Sequence, residues 1–160
     1  MDLHLVDVEI PDGLNLILGQ AHFIKTVDDL YQALAASAPG LRFGIAFCEA
    51  SGARLVRRAG NDAALVDRAV DAARAVAAGH AFVVYLGDGY PVNVLNAVKQ
   101  VPEVCRIFCA TANPLQVVVA ESPRGRGVLG VIDGSPPLGV EDDEDVASRR
   151  ELVRRLGYAP

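Results

Sequence analysis

The chain has two lysines in 160 residues, no CxxC pair, no P-loop pattern and no apolar run approaching the ~20 residues of a membrane-spanning helix. Each absence removes a class of function. Without the P-loop there is no familiar strand–loop–helix cradle for ATP, and without paired cysteines there is no zinc site of the usual spacing, so no metal site is expected. The three cysteines, Cys48, Cys105 and Cys109, are odd in number and lie inside apolar runs, which suits buried free thiols better than a disulfide framework. The first ten residues, "MDLHLVDVEI", alternate apolar and polar positions rather than showing a charged segment followed by an apolar one. The expectation is a cytoplasmic protein with no membrane partner.

Residues 125–130, "GRGVLG", fit G-x-G-x-x-G letter for letter. A dinucleotide fingerprint must open a helix, whereas "VLGVI" continues as a β-rich run, so the match carries no nucleotide reading. The net charge of −5 is equally misleading, because "EDDED" at 141–145 supplies five negatives and the rest of the chain is neutral without it. That balance argues against a nucleic-acid groove. The acidic run precedes "VASRRELVRRLG", so acids sit at a helix N-terminus and arginines toward its C-terminus, in accord with the macrodipole.

What is present is a chain 51% hydrophobic, enough for one compact core, with no internal repeat and no linker at which to divide it. Periodicity predicts a strand at about 2–10, an extended approach "NLILGQ", a helix at about 27–37, and a buried strand "RFGIAFCEA" with a hairpin partner. A long helix from Asp62 to Ala78, closed by Gly79, comes next, then a strand "HAFVVYL" and a helix opened by Pro91. Three further strands and a C-terminal helix complete the chain. Helices interleave with strands early and hairpin-linked strands follow, which predicts a single α/β domain over 1–160 with a mixed β-sheet flanked by helices.

Thirteen arginines against two lysines make each lysine worth examining, because a compact ammonium does work that a planar guanidinium cannot. Lys25 stands with His22 just before the helix start in "GQAHFIKTVDDLY", where Thr26 is a fitting N-cap. An ammonium, an imidazole and a helix N-terminus together make a phosphate-sized anion site. The bland reading is a lysine that solvates the loop and a histidine bonded to backbone.

Arg124 and Arg126 in "SPRGRG" present guanidinium forks from a glycine-punctuated loop; a hairpin tip with solubilising arginines explains them equally. In "FCEASG", Cys48 shares a small-residue face with Gly44 and Ala46 and reads as packing, while Glu49 at the strand end suits a ribose-hydroxyl acceptor, a general base or a plain surface acid. Asp88 and Tyr90 in "GDGY" could meet a sugar and a base, although a D-G turn needs no ligand. Asn93 and Asn96 share a helix face and could present amides to an adenine edge. His80, after Gly79, reads as a cation at a helix C-terminus, and His4 has no assigned role.

The stretches "ILGQAHFIKTVDDLY", "GIAFCEASG", "DGYPVNVLNAVKQVPEVC" and "GRGVLGVIDG" together resemble the adenosine-specific kinase family, over about residues 4–158. The resemblance implies an α/β domain that forms homo-oligomers, trimers favoured, binds adenosine and AMP, and acts as a phosphotransferase through a phosphorylated histidine. It carries over to His22 and Lys25 in "GQ.HFIKT", Glu49 in "CEASG", Asn93 and Asn96 in "YPVNVLNA", and Arg126 in "GRG", and Gln20, Asp88, Tyr90 and Arg124 beside them join the candidates. His22, Lys25 and Glu49 are the expected catalytic residues and the others the expected substrate contacts. A non-catalytic oligomer that senses adenosine or AMP is the alternative. No motif identifies the phosphoryl donor or a cofactor.

Overall fold

The computed structural model describes all 160 residues. In chain order the elements are β1 (Asp2–Val8), β2 (Leu14–Ala21), α1 (Thr26–Ser37), β3 (Arg42–Cys48), β4 (Val56–Gly60), α2 (Ala63–Val76) and β5 (Ala81–Gly87), then α3 (Pro91–Lys99), β6 (Val104–Thr111), β7 (Leu115–Ser122), β8 (Gly125–Asp133) and α4 (Asp143–Arg155). The single α/β domain is as expected, but its strands form two sheets, β4-β3-β5-β2-β6 and β1-β7-β8.

Both sheets are antiparallel throughout, where a mixed sheet was expected. The reason lies in the crossovers. Helix α1 joins β2 to β3 and α3 joins β5 to β6, and each pair does run parallel. Each crossover skips one place, however, and the gap is filled by an antiparallel strand: β5 lies between β2 and β3, and β2 lies between β5 and β6. The stretch "NLILGQ", read as an approach, is thus the interior strand β2.

Interior strands covered on both faces lose the alternating pattern. All seven residues of β5 and six of seven in β3 are buried. On one face Phe43, Phe47, Phe82, Val84 and Leu86 pack against Leu30 and Leu34 of α1 and Val94 and Val98 of α3. On the other, Leu16, Leu18, Ala46 and Val83 meet α2 together with Val117 and Val119 of the three-stranded sheet. Gly44 permits this second layer, because a Cβ there would stand 2.1 Å from the backbone carbon of Leu65 in α2. The small-residue face of β3 works as the sequence suggested.

Local differences follow from hydrogen bonding. Helix α2 closes at Ala77, in the left-handed region at φ 50°, whose N–H donates to Ala73 O at 2.8 Å; Gly79 lies beyond the closure. Cys48 and Cys109 are buried, but Cys105 is exposed because β6 is an edge strand with one face toward solvent. Helix α4 buries no residue, and its first turn is acidic as expected; Asp142 caps it by accepting from the N–H groups of Glu144 and Asp145.

Candidate functional site

Strand β2 ends at Ala21, whose N–H donates to His80 O at 3.0 Å, and the His22 N–H donates to Glu103 O at 3.1 Å. These bonds pin the turn at 22–25 between the start of β5 and the loop that leads into β6. The helical conformation begins one residue earlier than the sequence indicated: Lys25 occupies the N-cap position, and the Thr26 hydroxyl donates back to Phe23 O instead of capping. The N–H groups of Thr26 and Val27 are spent on Phe23 O and Ile24 O. Those of Phe23, Ile24 and Lys25 have no acceptor within the protein, so the free donors of the helix start are displaced back by one turn, beside His22. The imidazole of His22 is exposed and makes no hydrogen bond with the protein.

Lys25 is not free. Its ammonium lies 2.5 Å from Asp29 Oδ2 and 3.6 Å from Glu103 Oε1. The hydrogen bond to Asp29 raises the lysine's pKa and holds the aspartate below the usual carboxylate range. Glu103, 4% exposed, leaves Oε2 buried with no partner. Sequence reading passed over Glu103, because nothing in "VPEVC" distinguishes it from a turn acid; the fold alone puts it behind Lys25. Gln20, half-buried, precedes this corner in β2, paired in register with Ala81 and Arg106.

Glu49 lies at the same end of the sheet. Its Oε2 accepts from Leu55 N at 3.1 Å, and Arg57 Nη2 meets both of its oxygens at 3.0 and 3.1 Å. The Leu55 N–H, with Arg57 beside it, holds the carboxyl below its usual range. An ionised, doubly engaged carboxylate retains lone pairs for a hydroxyl but is a weak base. His80, expected as a helix-end cation, instead stacks on Phe47 with ring centroids 5.8 Å apart, and its N–H donates to Cys48 O at 2.7 Å.

On the α2 side of these strand ends, a cleft of about 750 Å³ opens between the β3–β4 turn, the C-terminal end of α2 and the β7–β8 hairpin. Arg54, Arg74, Arg124 and Arg126 line it, together with Glu49 and Glu121. Arg126 pairs with Glu121 at 2.8 Å, and Glu121 is also 3.0 Å from His4 Nε2. Arg124 and Arg126, singled out in the sequence, therefore converge with Glu49, and the fold adds Arg54 and Arg74.

The remaining candidates lie elsewhere. Asp88 accepts from Arg42 Nε at 2.6 Å, and Arg42 also binds Asp62 at 2.8 Å. Asn93 Oδ1 caps the Tyr90 N–H at 2.9 Å, while its amide donates to Tyr158 OH at 3.3 Å. Asn96 is exposed on α3. Asp88, Tyr90 and Asn93 stand where β5 ends, whereas His22, Lys25 and Glu49 stand where it begins. At ~3.3 Å per residue, the seven residues of β5 separate the two groups by roughly 20 Å, more than the length of a mononucleotide.

The chain matches the family model described as adenosine specific kinase over residues 6–159. Its fold is similar to the crystal structure of the PH1918 protein from Pyrococcus horikoshii OT3, with a TM-score of 0.95 and 45% sequence identity over 99% of this chain and 98% of that one. No curated protein matches it. With the family model covering nearly the whole chain, this protein belongs to the adenosine-specific kinase family.

Proposed function

We propose that the protein binds adenosine and AMP and transfers a phosphoryl group by way of His22. The observation that carries this reading is the unengaged imidazole of His22 beside three consecutive unbonded amides, in a chain whose family is named for adenosine phosphorylation. The neutral imidazole nitrogen attacks a phosphoanhydride, so that a P–N bond forms as the donor's P–O bond breaks and the donor leaves with its oxygen. The 5′-hydroxyl of adenosine then attacks, forming P–O as P–N breaks, and its proton passes to solvent. Free amides at 23–25 meet the transferred oxygens, and Lys25 neutralises them after turning from Asp29. Glu49 accepts from a ribose hydroxyl rather than serving as the base.

A second reading, an adenosine- or AMP-sensing oligomer without turnover, is favoured by a separate observation: Lys25 and Glu49 are both held by ion pairs in the protein as it stands. Incubation with adenosine and labelled ATP, GTP, pyrophosphate or acetyl phosphate separates the two. Label in AMP and on His22 supports transfer. Thermal stabilisation by AMP with no label from any donor overturns transfer and leaves the sensor.

Either reading includes a homo-oligomer, a trimer for preference. Leu3 and Leu5 of β1 and Leu129 and Ile132 of β8 are 66%, 58%, 62% and 46% exposed on the three-stranded sheet, an apolar surface suited to a second copy. Asp88, Tyr90 and Asn93 would reach a nucleotide at the His22 corner only from a neighbouring copy. A monomer by light scattering at working concentration overturns the assembly.

A further inference from the structure

Within an acidic chain, the cleft beside α2 concentrates positive charge. Its two carboxylates are already neutralised, Glu49 by Arg57 and Glu121 by Arg126. Arg54, Arg74 and Arg124 have no carboxylate partner, and they come from three different elements: the β3–β4 turn, α2 and the β7–β8 hairpin. Arg54 is also held at φ 52°, an uncommon conformation for a residue with a side chain. The turn that imposes it is fixed by Glu49, which binds Leu55 N and Arg57 on either side of Val56, and by the Arg54 N–H donating to Ser51 O at 3.3 Å. Backbone strain of this kind persists where the surroundings over-determine it.

We propose that this cleft binds an oligophosphate, a ligand with two or three linked phosphates. A single phosphate offers its terminal oxygens from one tetrahedron and cannot satisfy guanidinium forks entering from three sides of a cleft of about 750 Å³. Linked phosphates spread charge along a length that can. Because both carboxylates of the cleft are engaged by arginine, the charge is met by guanidinium groups and not by a carboxylate-held divalent ion. Gly125, at φ 145°, and Gly127 line the cleft without side chains, and a Cβ at either would meet nothing within 4 Å. Taking this ligand as the phosphoryl donor rests on the proposed function; the binding itself does not.

The test is calorimetric titration of the full chain with sodium tripolyphosphate, orthophosphate and ATP, in EDTA and at two salt concentrations. Tripolyphosphate should bind without metal, at least about tenfold more tightly than orthophosphate, and more weakly as salt rises. Arg54→Ala and Arg124→Ala, both on exposed turns, should keep the wild-type melting temperature and each weaken tripolyphosphate by about tenfold, and Arg54→Ala should leave AMP affinity unchanged. The ATP arm distinguishes the source. Equal affinity for ATP and tripolyphosphate means that the cleft reads phosphates alone, and tighter ATP with the same arginine dependence means a nucleoside triphosphate.

No tripolyphosphate binding to the wild type, or wild-type binding in the Arg54→Ala/Arg124→Ala double variant, overturns the proposal. Parallel loss of AMP affinity in Arg54→Ala would make the cleft a monophosphate site and overturn it as well. Loss of AMP binding and of His22 labelling with tripolyphosphate binding intact would instead overturn the proposed function and leave the cleft standing.

Discussion

The Lys25 ammonium lies 2.5 Å from the Asp29 carboxylate one helical turn ahead, with the buried Glu103 as a second acid 3.6 Å away. One cation faces two carboxylates, so a phosphate reaching this corner meets a lysine that must exchange partners. Lys25→Met removes the cation and leaves both acids. It should therefore weaken AMP by about tenfold or more and adenosine far less, because only AMP presents a phosphate. Titration of both ligands into the variant checks this, and equal losses for the two with an unchanged fold would remove the phosphate from this corner.

Acid stability tests the same ion pair and its counterparts. Asp29, Glu49, Asp62 and Glu141 all have carboxyl pKa values held below normal, through Lys25, the Leu55 N–H with Arg57, Arg42 and Arg149 respectively. A carboxyl depressed in the folded state contributes stability that is fully present above its unfolded pKa of about 4 and is lost as pH falls through the lower folded value. The melting temperature should be nearly level between pH 7 and about 5 and fall below about 4. Glu49→Gln should lower the melting temperature at neutral pH and shallow the acid slope. A variant with the wild-type slope would mean that Glu49 is not linked to folding.

The fold was legible wherever one stretch of chain carried its own signal. The Pro91 helix start, the acidic N-terminus of α4 and the small face of β3 were all readable because each depends on residues a few positions apart. Pairing was not legible: that β5 inserts between β2 and β3 is decided by partners far apart in sequence, from Phe47 with Phe82 to Leu14 with Gly87, and the crossover pattern alone suggests parallel neighbours. The site divides in the same way. His22 and Lys25 stand together because they are close in sequence, and Arg124 and Arg126 likewise. Arg54, Arg74 and Glu103 reach their places only through the tertiary fold, and no local pattern marks them.

Thiol reactivity provides an independent check on burial. Cys105 is exposed on the edge strand, whereas burial pushes the thiols of Cys48 and Cys109 up to about 11. The thiolate is the reactive species, so at pH 8 the folded protein should show one fast-reacting thiol and two slow ones. All three should react at one rate after denaturation. Cys105→Ser should abolish the fast phase, and a fast phase that survives would place another cysteine at the surface.

The contact between Gly44 and α2 is the most exacting demand of the core. A methyl group at position 44 would meet Leu65 C at 2.1 Å, Val66 N at 2.2 Å and Leu65 O at 2.3 Å, all backbone atoms of the first turn of the helix, which cannot rotate aside as a side chain would. The helix would have to lift, and Leu65, Ala69, Ala72, Ala73 and Val76 would lift with it from the face formed by Leu16, Leu18 and Val83. Overpacking of this kind costs about 1–3 kcal/mol where side chains can adjust, so with backbone as the obstacle Gly44→Ala should destabilise by about 3 kcal/mol or more. Because Arg74 rides on α2, the same displacement should weaken any ligand of the arginine cleft. Denaturant unfolding gives the first quantity, and titration with tripolyphosphate gives the second. An alanine variant as stable as the wild type would mean that α2 does not lie against β3 as described.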